Sequence, residues 1–222
     1  MTNLFALRIL LDFVAVALLV ACLAYWWQDN LIHELLGTAL FVLVLAHNVF
    51  NRQWLGAPKA SDAPRLISTL VIVSTASLML TMIMTSLLIS RDVFAFTAIT
   101  GAFTIREIHM FAAYWTLLVV SLHLGTRWFA VIAICRKLFG LQGSNRWRKG
   151  FLRLLVAGIS IWGVRSYSEM AFGSKLMLTY SLDMWDFNEQ AMRFFLNYAS
   201  IVGLHVTLGH YGLCMIRMQK PS

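Results

Sequence analysis

Six histidines, His33, His47, His109, His123, His205 and His210, all fall within apolar stretches of a 222-residue chain. Ionisable side chains inside a bilayer are costly and usually mark function. Their spacing is more telling than their number. His33 and His47 are fourteen residues apart in one apolar stretch, and His109 and His123 are fourteen apart in another. In an α-helix that interval rises about 21 Å and returns to within about 40° of the same face. Each pair therefore marks two depths on one seam. If the two stretches cross a membrane in the same direction, His33 meets His109 near one surface and His47 meets His123 near the other. Two facing imidazoles at one level can occupy both axial positions of a haem iron, giving a six-coordinate b-type haem with no open position for oxygen chemistry.

Small and cationic residues around the four histidines suit a large flat anionic cofactor. Gly37 lies one turn from His33, Gly125 lies two residues from His123, and Ala112 and Ala113 follow His109. Haem propionates need cationic or hydrogen-bonding partners at the membrane edges. Arg106 is placed for an outer haem, and Asn51, Arg52 and Arg127 for an inner one. His205 and His210 are five apart, about 140° around a helix, so they do not share a face. They are kept as alternative axial ligands; otherwise they are packed histidines, with His205 placed to hydrogen-bond a neighbouring helix or a quinone. The run His33-Glu34-Leu35-Leu36-Gly37 begins like a zinc-protease helix but lacks the second histidine that such a site requires.

The elements that must position these residues are transmembrane helices. Hydrophobic residues make up 59% of the chain and charged residues only 13%, a balance that excludes a disordered chain, a nucleic-acid-binding module and a secreted disulfide scaffold. The three cysteines, Cys22, Cys135 and Cys214, form neither a C-x-x-C nor a C-x-x-C-H pattern, so covalent haem attachment and a zinc finger are not indicated. Apolar runs at about 4–27, 31–50, 66–90, 107–134, 151–171 and 191–216 predict an all-α integral membrane bundle of about six helices, forming one domain over 1–222. The fifth run is the weakest, because Arg165 and Glu169 intrude. With the N-terminus inside, thirteen Lys and Arg lie on the inner side and five on the outer, so the positive-inside rule selects N-in and C-in. The net charge of +8 thus resolves into a basic inner face, which also suits anionic lipid, and a mildly acidic outer one. Leu19-Val20-Ala21-Cys22 looks like a lipoprotein cleavage box, but the apolar run continues to Trp27, and Trp26 and Trp27 read as interfacial anchors. The outer segment 166–190 mixes apolar and charged residues and is expected to lie on the membrane surface as a lid.

With these residues in hand, the sequence resembles the flavinylation-associated transmembrane di-haem cytochrome b family of bacteria. The resemblance rests on His33-Glu34-x-x-Gly37, His47-x-x-x-Asn51-Arg52-x-Trp54, and His109 with Tyr114-Trp115 leading to His123. It extends more loosely through Gly163 to Phe172, Asp186-Phe187 and the last helix. It implies two haem b groups on His33, His47, His109 and His123, a place in the bacterial inner (cytoplasmic) membrane, and electron transfer to or from an extracytoplasmic flavoprotein or other redox partner. In spacing alone the chain is also similar to larger quinol-oxidising cytochromes b, which makes a quinone the candidate small-molecule partner. Two other classes make different demands on the sequence. A histidine-lined divalent-metal transporter predicts carboxylates beside the mid-membrane histidines, whereas Asp12 is the only acid well within a span. A cofactor-free anchor subunit predicts no paired spacing.

Overall fold

The computed structural model describes residues 2–50, 63–141, 143, 145–178 and 185–218, with the backbone alone for 2–6. Its described elements are helices α1 (Thr2–Leu23), α2 (Asn30–Phe50), α3 (Ala63–Ile89), α4 (Phe103–Thr126), α5 (Trp128–Leu138), α6 (Arg146–Glu169), α7 (Phe172–Lys175) and α8 (Phe187–Met218), with short 3-10 turns at Tyr25–Trp27 and Ala95–Thr97. Local chemistry sets several of their ends. Asp29 Oδ1 accepts the Ile32 N–H at 2.8 Å to start α2, and Asn145 Oδ1 accepts the Trp147 N–H at 2.9 Å to start α6. These are N-caps of the kind that satisfy orphan donors in the first turn. Pro64 stands in the first turn of α3, where its missing N–H costs nothing.

Helices α2, α3, α4 and α8 are long and apolar enough to cross a membrane. The protein is thus all-α with the pattern of a multi-pass membrane protein. Large apolar side chains also face outward, among them Leu70 at 57% and Leu154 at 74% exposure, more apolar surface than a water-soluble monomer presents.

At the centre of the bundle, α4 packs between α3 and α8, α8 also carries α6, and α2 packs mainly on α1. The close approaches are made by glycine. A Cβ on Gly125 would stand 2.4 Å from the Val206 carbonyl oxygen, and one on Gly209 would stand 2.7 Å from that of Leu122, so α4 and α8 touch backbone to backbone. Between α6 and α8, Gly163 faces the Ser200 carbonyl in the same way. A buried polar network joins these two helices. The Ser166 hydroxyl donates to Asn197 Oδ1 at 3.0 Å, Asn197 Nδ2 donates to Glu169 at 3.0 Å, and Arg193 Nε pairs with Glu169 at 2.6 Å. With lipid tails as apolar as leucine, small residues and interhelical hydrogen bonds hold such helices together.

Several boundaries differ from the sequence expectation. The first run stops as an α-helix at Leu23, and Trp26 and Trp27 sit on a 3-10 turn. The fourth run, expected to continue to 134, breaks at Arg127 (φ −98°, ψ 2°), and α5 follows as a separate helix. Helix α6 begins at Arg146 rather than 151 because Asn145 caps it; its charges keep it out of the long apolar set. In the described part of segment 166–190, Met170, Phe172, Lys175 and Phe187 are buried against the bundle, while Met177 and Leu178 are exposed. Ala171, in the left-handed conformation at φ 46°, turns the chain from α6 into α7 and so folds this segment inward.

Candidate functional site

His33 on α2 and His109 on α4 face each other, with ring centroids 6.3 Å apart and ring planes at 72°. A metal held between two imidazoles by bonds of about 2 Å on either side separates the rings by roughly this much. The pair borders a cavity of about 1040 Å³ lined by α1, α2, α3, α4 and the α6–α7 turn. That volume lies at the upper end for ligand sites, which run about 300–1,000 Å³. Gly37, Arg106 and Ala113 line the same cavity, so three residues placed near the outer histidines by sequence reasoning are brought together with them.

Each histidine has a distinct second partner. His109 Nδ1 lies 3.0 Å from Thr85 Oγ1, and Thr85 Oγ1 lies 2.8 Å from the Thr81 carbonyl. The hydroxyl has one proton to give, and the Thr81 carbonyl can only accept it. Thr85 therefore accepts from His109 Nδ1–H, which puts the lone pair of this ring on Nε2. His33 interacts with the Cys22 backbone on α1 and packs edge-on against the Tyr25 ring, with centroids 5.0 Å apart.

Charge surrounds the cavity without filling it. Arg91, Arg106 and Lys175 line it, as do Glu34 and Glu169. Glu34 is spent on structure. Its carboxylate accepts the Arg91 and Val93 N–H groups, the Ser90 hydroxyl and the Asn30 amide, each at 2.7 Å, and so ties α2 to the start of the α3–α4 connection. Lys175 donates to the Tyr198 hydroxyl at 3.3 Å and stands over the Tyr114 ring, 5.3 Å from its centroid.

At the other end of the bundle, His47 Nδ1 lies 2.5 Å from Asp12 Oδ1 on α1. The carboxylate accepts the imidazole N–H. His123 lies within electrostatic range of His47, Asp12 and Arg127, and its Nδ1 is buried without a partner among the described residues. The large cavity reaches Leu45 along α2 but does not include these groups. Asn51 and Arg52 lie outside the described residues. Arg127 is exposed and caps the C-terminus of α4.

One sequence expectation changes character, and the packed reading of His205 holds. The Cα of Gly125 faces α8, so helix packing accounts for this glycine. His205 uses both ring nitrogens inside the protein: Nδ1 donates to the Ile201 carbonyl at 2.8 Å, and Nε2 accepts from the Tyr167 hydroxyl at 2.7 Å. That makes it a packed, hydrogen-bonded histidine. The His210 ring packs on Phe129 with centroids 4.6 Å apart.

Thr85 and the structural role of Glu34 were missed by sequence reasoning. A threonine four residues inside an apolar run carries no signal of its own, because which helix face it shares with His109 is a tertiary fact. Among the described residues, no three or more of His, Cys, Asp and Glu gather to hold a bare metal ion. A haem asks for only two protein side chains.

No family model, no curated protein and no solved structure matches the chain. Its function rests on the geometry.

Proposed function

We propose that the protein is a membrane-embedded electron-transfer subunit that holds two b-type haems, each between two histidines. The observation that carries this reading is the His33–His109 pair, 6.3 Å apart at the edge of a cavity of about 1040 Å³. His33 and His109 hold the outer group, and Arg106, with Arg91 beside it, offers cations to its carboxylates. His47 and His123 hold the inner group, with Asn51, Arg52 and Arg127 assigned to its polar edge. When bound, haem would supply one-electron chemistry at a position fixed by these histidines. The chain fixes the rings, keeps water away with an apolar wall, and separates the two depths by about 21 Å of helix rise.

In this reading the bundle crosses a bacterial cytoplasmic membrane six times, with both termini inside. α1 and α6 complete the four long apolar helices. An extracytoplasmic redox protein, such as a flavoprotein, docks on the acidic outer face, and a quinone is the candidate membrane donor. The test is to purify the chain in detergent, reduce it, record its absorption spectrum and count haem per polypeptide. Two haems with a six-coordinate b-type spectrum are expected. A colourless protein overturns the proposal.

A further inference from the structure

The cavity beside His33 and His109 has a charged side chain in its wall that is almost wholly enclosed. Lys175 lines the cavity and is only 6% exposed. Its place follows from the backbone. Ala171, left-handed at φ 46°, turns the chain after α6 so that α7 and its last residue, Lys175, pack into the bundle. There Nζ donates to the Tyr198 hydroxyl at 3.3 Å and stands 5.3 Å from the Tyr114 centroid and 5.9 Å from that of Tyr198. Ring faces attract a cation and so hold the ammonium in position. Just beyond, Trp115 Nε1 donates to the Leu176 carbonyl at 3.0 Å and pins the end of α7 to α4. Tyr114 also lines the cavity and follows His109 by five residues, about 7.5 Å along α4. The lysine and the histidine pair thus share one space.

We propose that Lys175 is an anion-binding residue of this cavity, and that the occupant it recognises carries a carboxylate. The inference rests on the reading above, in which the occupant at His33 and His109 is a haem with its propionates. The cations in the cavity wall differ in exposure: Arg91 is exposed, Arg106 is half-buried and Lys175 is buried. A charge pair is screened least where water is excluded, so the lysine separates a charged ligand from an uncharged one most strongly. The acids that line the same cavity are held by other groups. Glu34 accepts from four donors on α2 and the 90–93 segment. Glu169 pairs with Arg193 at 2.6 Å and accepts from Asn197 at 3.0 Å. Tyr114 and Tyr198 orient the ammonium while leaving its charge intact, so it acts on a carboxylate that enters the cavity.

The test compares haem with haem dimethyl ester, in which the carboxylates are masked, by absorption titration of the full-length apoprotein in detergent. His109→Ala, titrated alongside, identifies the part of the signal that belongs to the cavity. At this site wild type should bind haem roughly 10–100-fold more tightly than the diester, the range of one hydrogen bond to a charged group. In Lys175→Met, which keeps the apolar stem, most of that preference should vanish while affinity for the diester stays near wild type. Lys175→Gln is read in the same way, so the result does not hang on one replacement, and Lys175→Arg should keep the preference. Arg106→Met, at a less buried cation, should remove less of it. Equal losses of haem and diester affinity in the methionine and glutamine variants would mean that the lysine only supports the fold, and would overturn the inference. A wild type with no preference between the two ligands overturns it as well, and both results leave the proposed function standing. A wild type that binds neither ligand, or binds them just as well after His109→Ala, overturns the inference and the function together.

Discussion

At the residue scale, the His33–His109 pair is positioned by the side chains that stand behind it. Thr85 accepts the His109 Nδ1–H and gives its own proton to the carbonyl one turn back, so replacing it with valine keeps the shape and removes the acceptor. A buried imidazole N–H left unpaired costs about 1–3 kcal/mol. Loss of such a partner typically lowers metal-site affinity by about 10–100-fold. On the proposed two-haem function, Thr85→Val should weaken haem binding at His109 by about that factor while leaving the other site. Haem titration of the apoprotein measures this, and Thr85→Ser should restore affinity. A valine variant that binds both haems like wild type would show that Thr85 does not orient His109. Glu34 belongs to the same scale in another way. Glu34→Ala removes the acceptor for the Arg91 and Val93 N–H groups and the Ser90 hydroxyl. Hydrogen bonds to a charged group contribute about 1.5–3 kcal/mol each. A thermal melt of the holoprotein should show a clear loss of stability, with α2 loosened from the α3–α4 connection.

At the scale of elements, the central crossing of α4 and α8 depends on two glycines that face each other's helices. Gly209→Ala places a methyl carbon 2.7 Å from the Leu122 carbonyl oxygen, a backbone atom that cannot swing aside. Overpacking of this kind costs about 1–3 kcal/mol, and a melting experiment in detergent should register it. Gly158 on α6 is the control: a Cβ there meets nothing within 4 Å, so Gly158→Ala should be neutral or slightly stabilising. Equal effects at the two positions would mean that the crossing is looser than this. The same crossing shows what sequence can and cannot tell. The fourteen-residue histidine spacing was legible because helical phase is local, and the apolar runs located α2 and α3 to within a few residues. Gly125 was not legible, because a glycine beside a ligand serves a porphyrin or a neighbouring helix equally well, and only the position of α8 decides. The pairing of Asp12 with His47 was hidden for a related reason. It depends on the register of α1 against α2, which neither helix encodes alone. The inward fold of 166–178 turns on the left-handed backbone of Ala171, a residue type that gives no warning of it.

At the scale of the whole molecule, charge and architecture make a joint demand. Thirteen of the eighteen Lys and Arg fall on one side if the chain crosses six times, and the short helix α5 then lies on that side between two crossings. Its last turn carries Arg136 and Lys137, next to the cluster Arg146, Arg148 and Lys149 at the start of α6. This is the densest basic region in the chain, and such regions near span ends are retained in the cytoplasm. Four crossings built only from α2, α3, α4 and α8 would leave α6 outside the bilayer. Yet α6 packs along α8 through Gly163 and the Ser166–Asn197 network, and it presents Leu154, Ile161 and Val164 outward. An apolar outer face on a helix so docked supports the proposed six crossings. Reporter fusions at the N-terminus, after Leu141 and after Met218 should therefore all report the cytoplasm, and a fusion within the 95–97 turn should report the outside. A fusion after Leu141 that reads on the opposite side from one placed in the 51–62 segment would break the parallel crossing of α2 and α4. The four histidines could then no longer pair by depth, so this one measurement bears on the orientation of the bundle and on the arrangement of its site together.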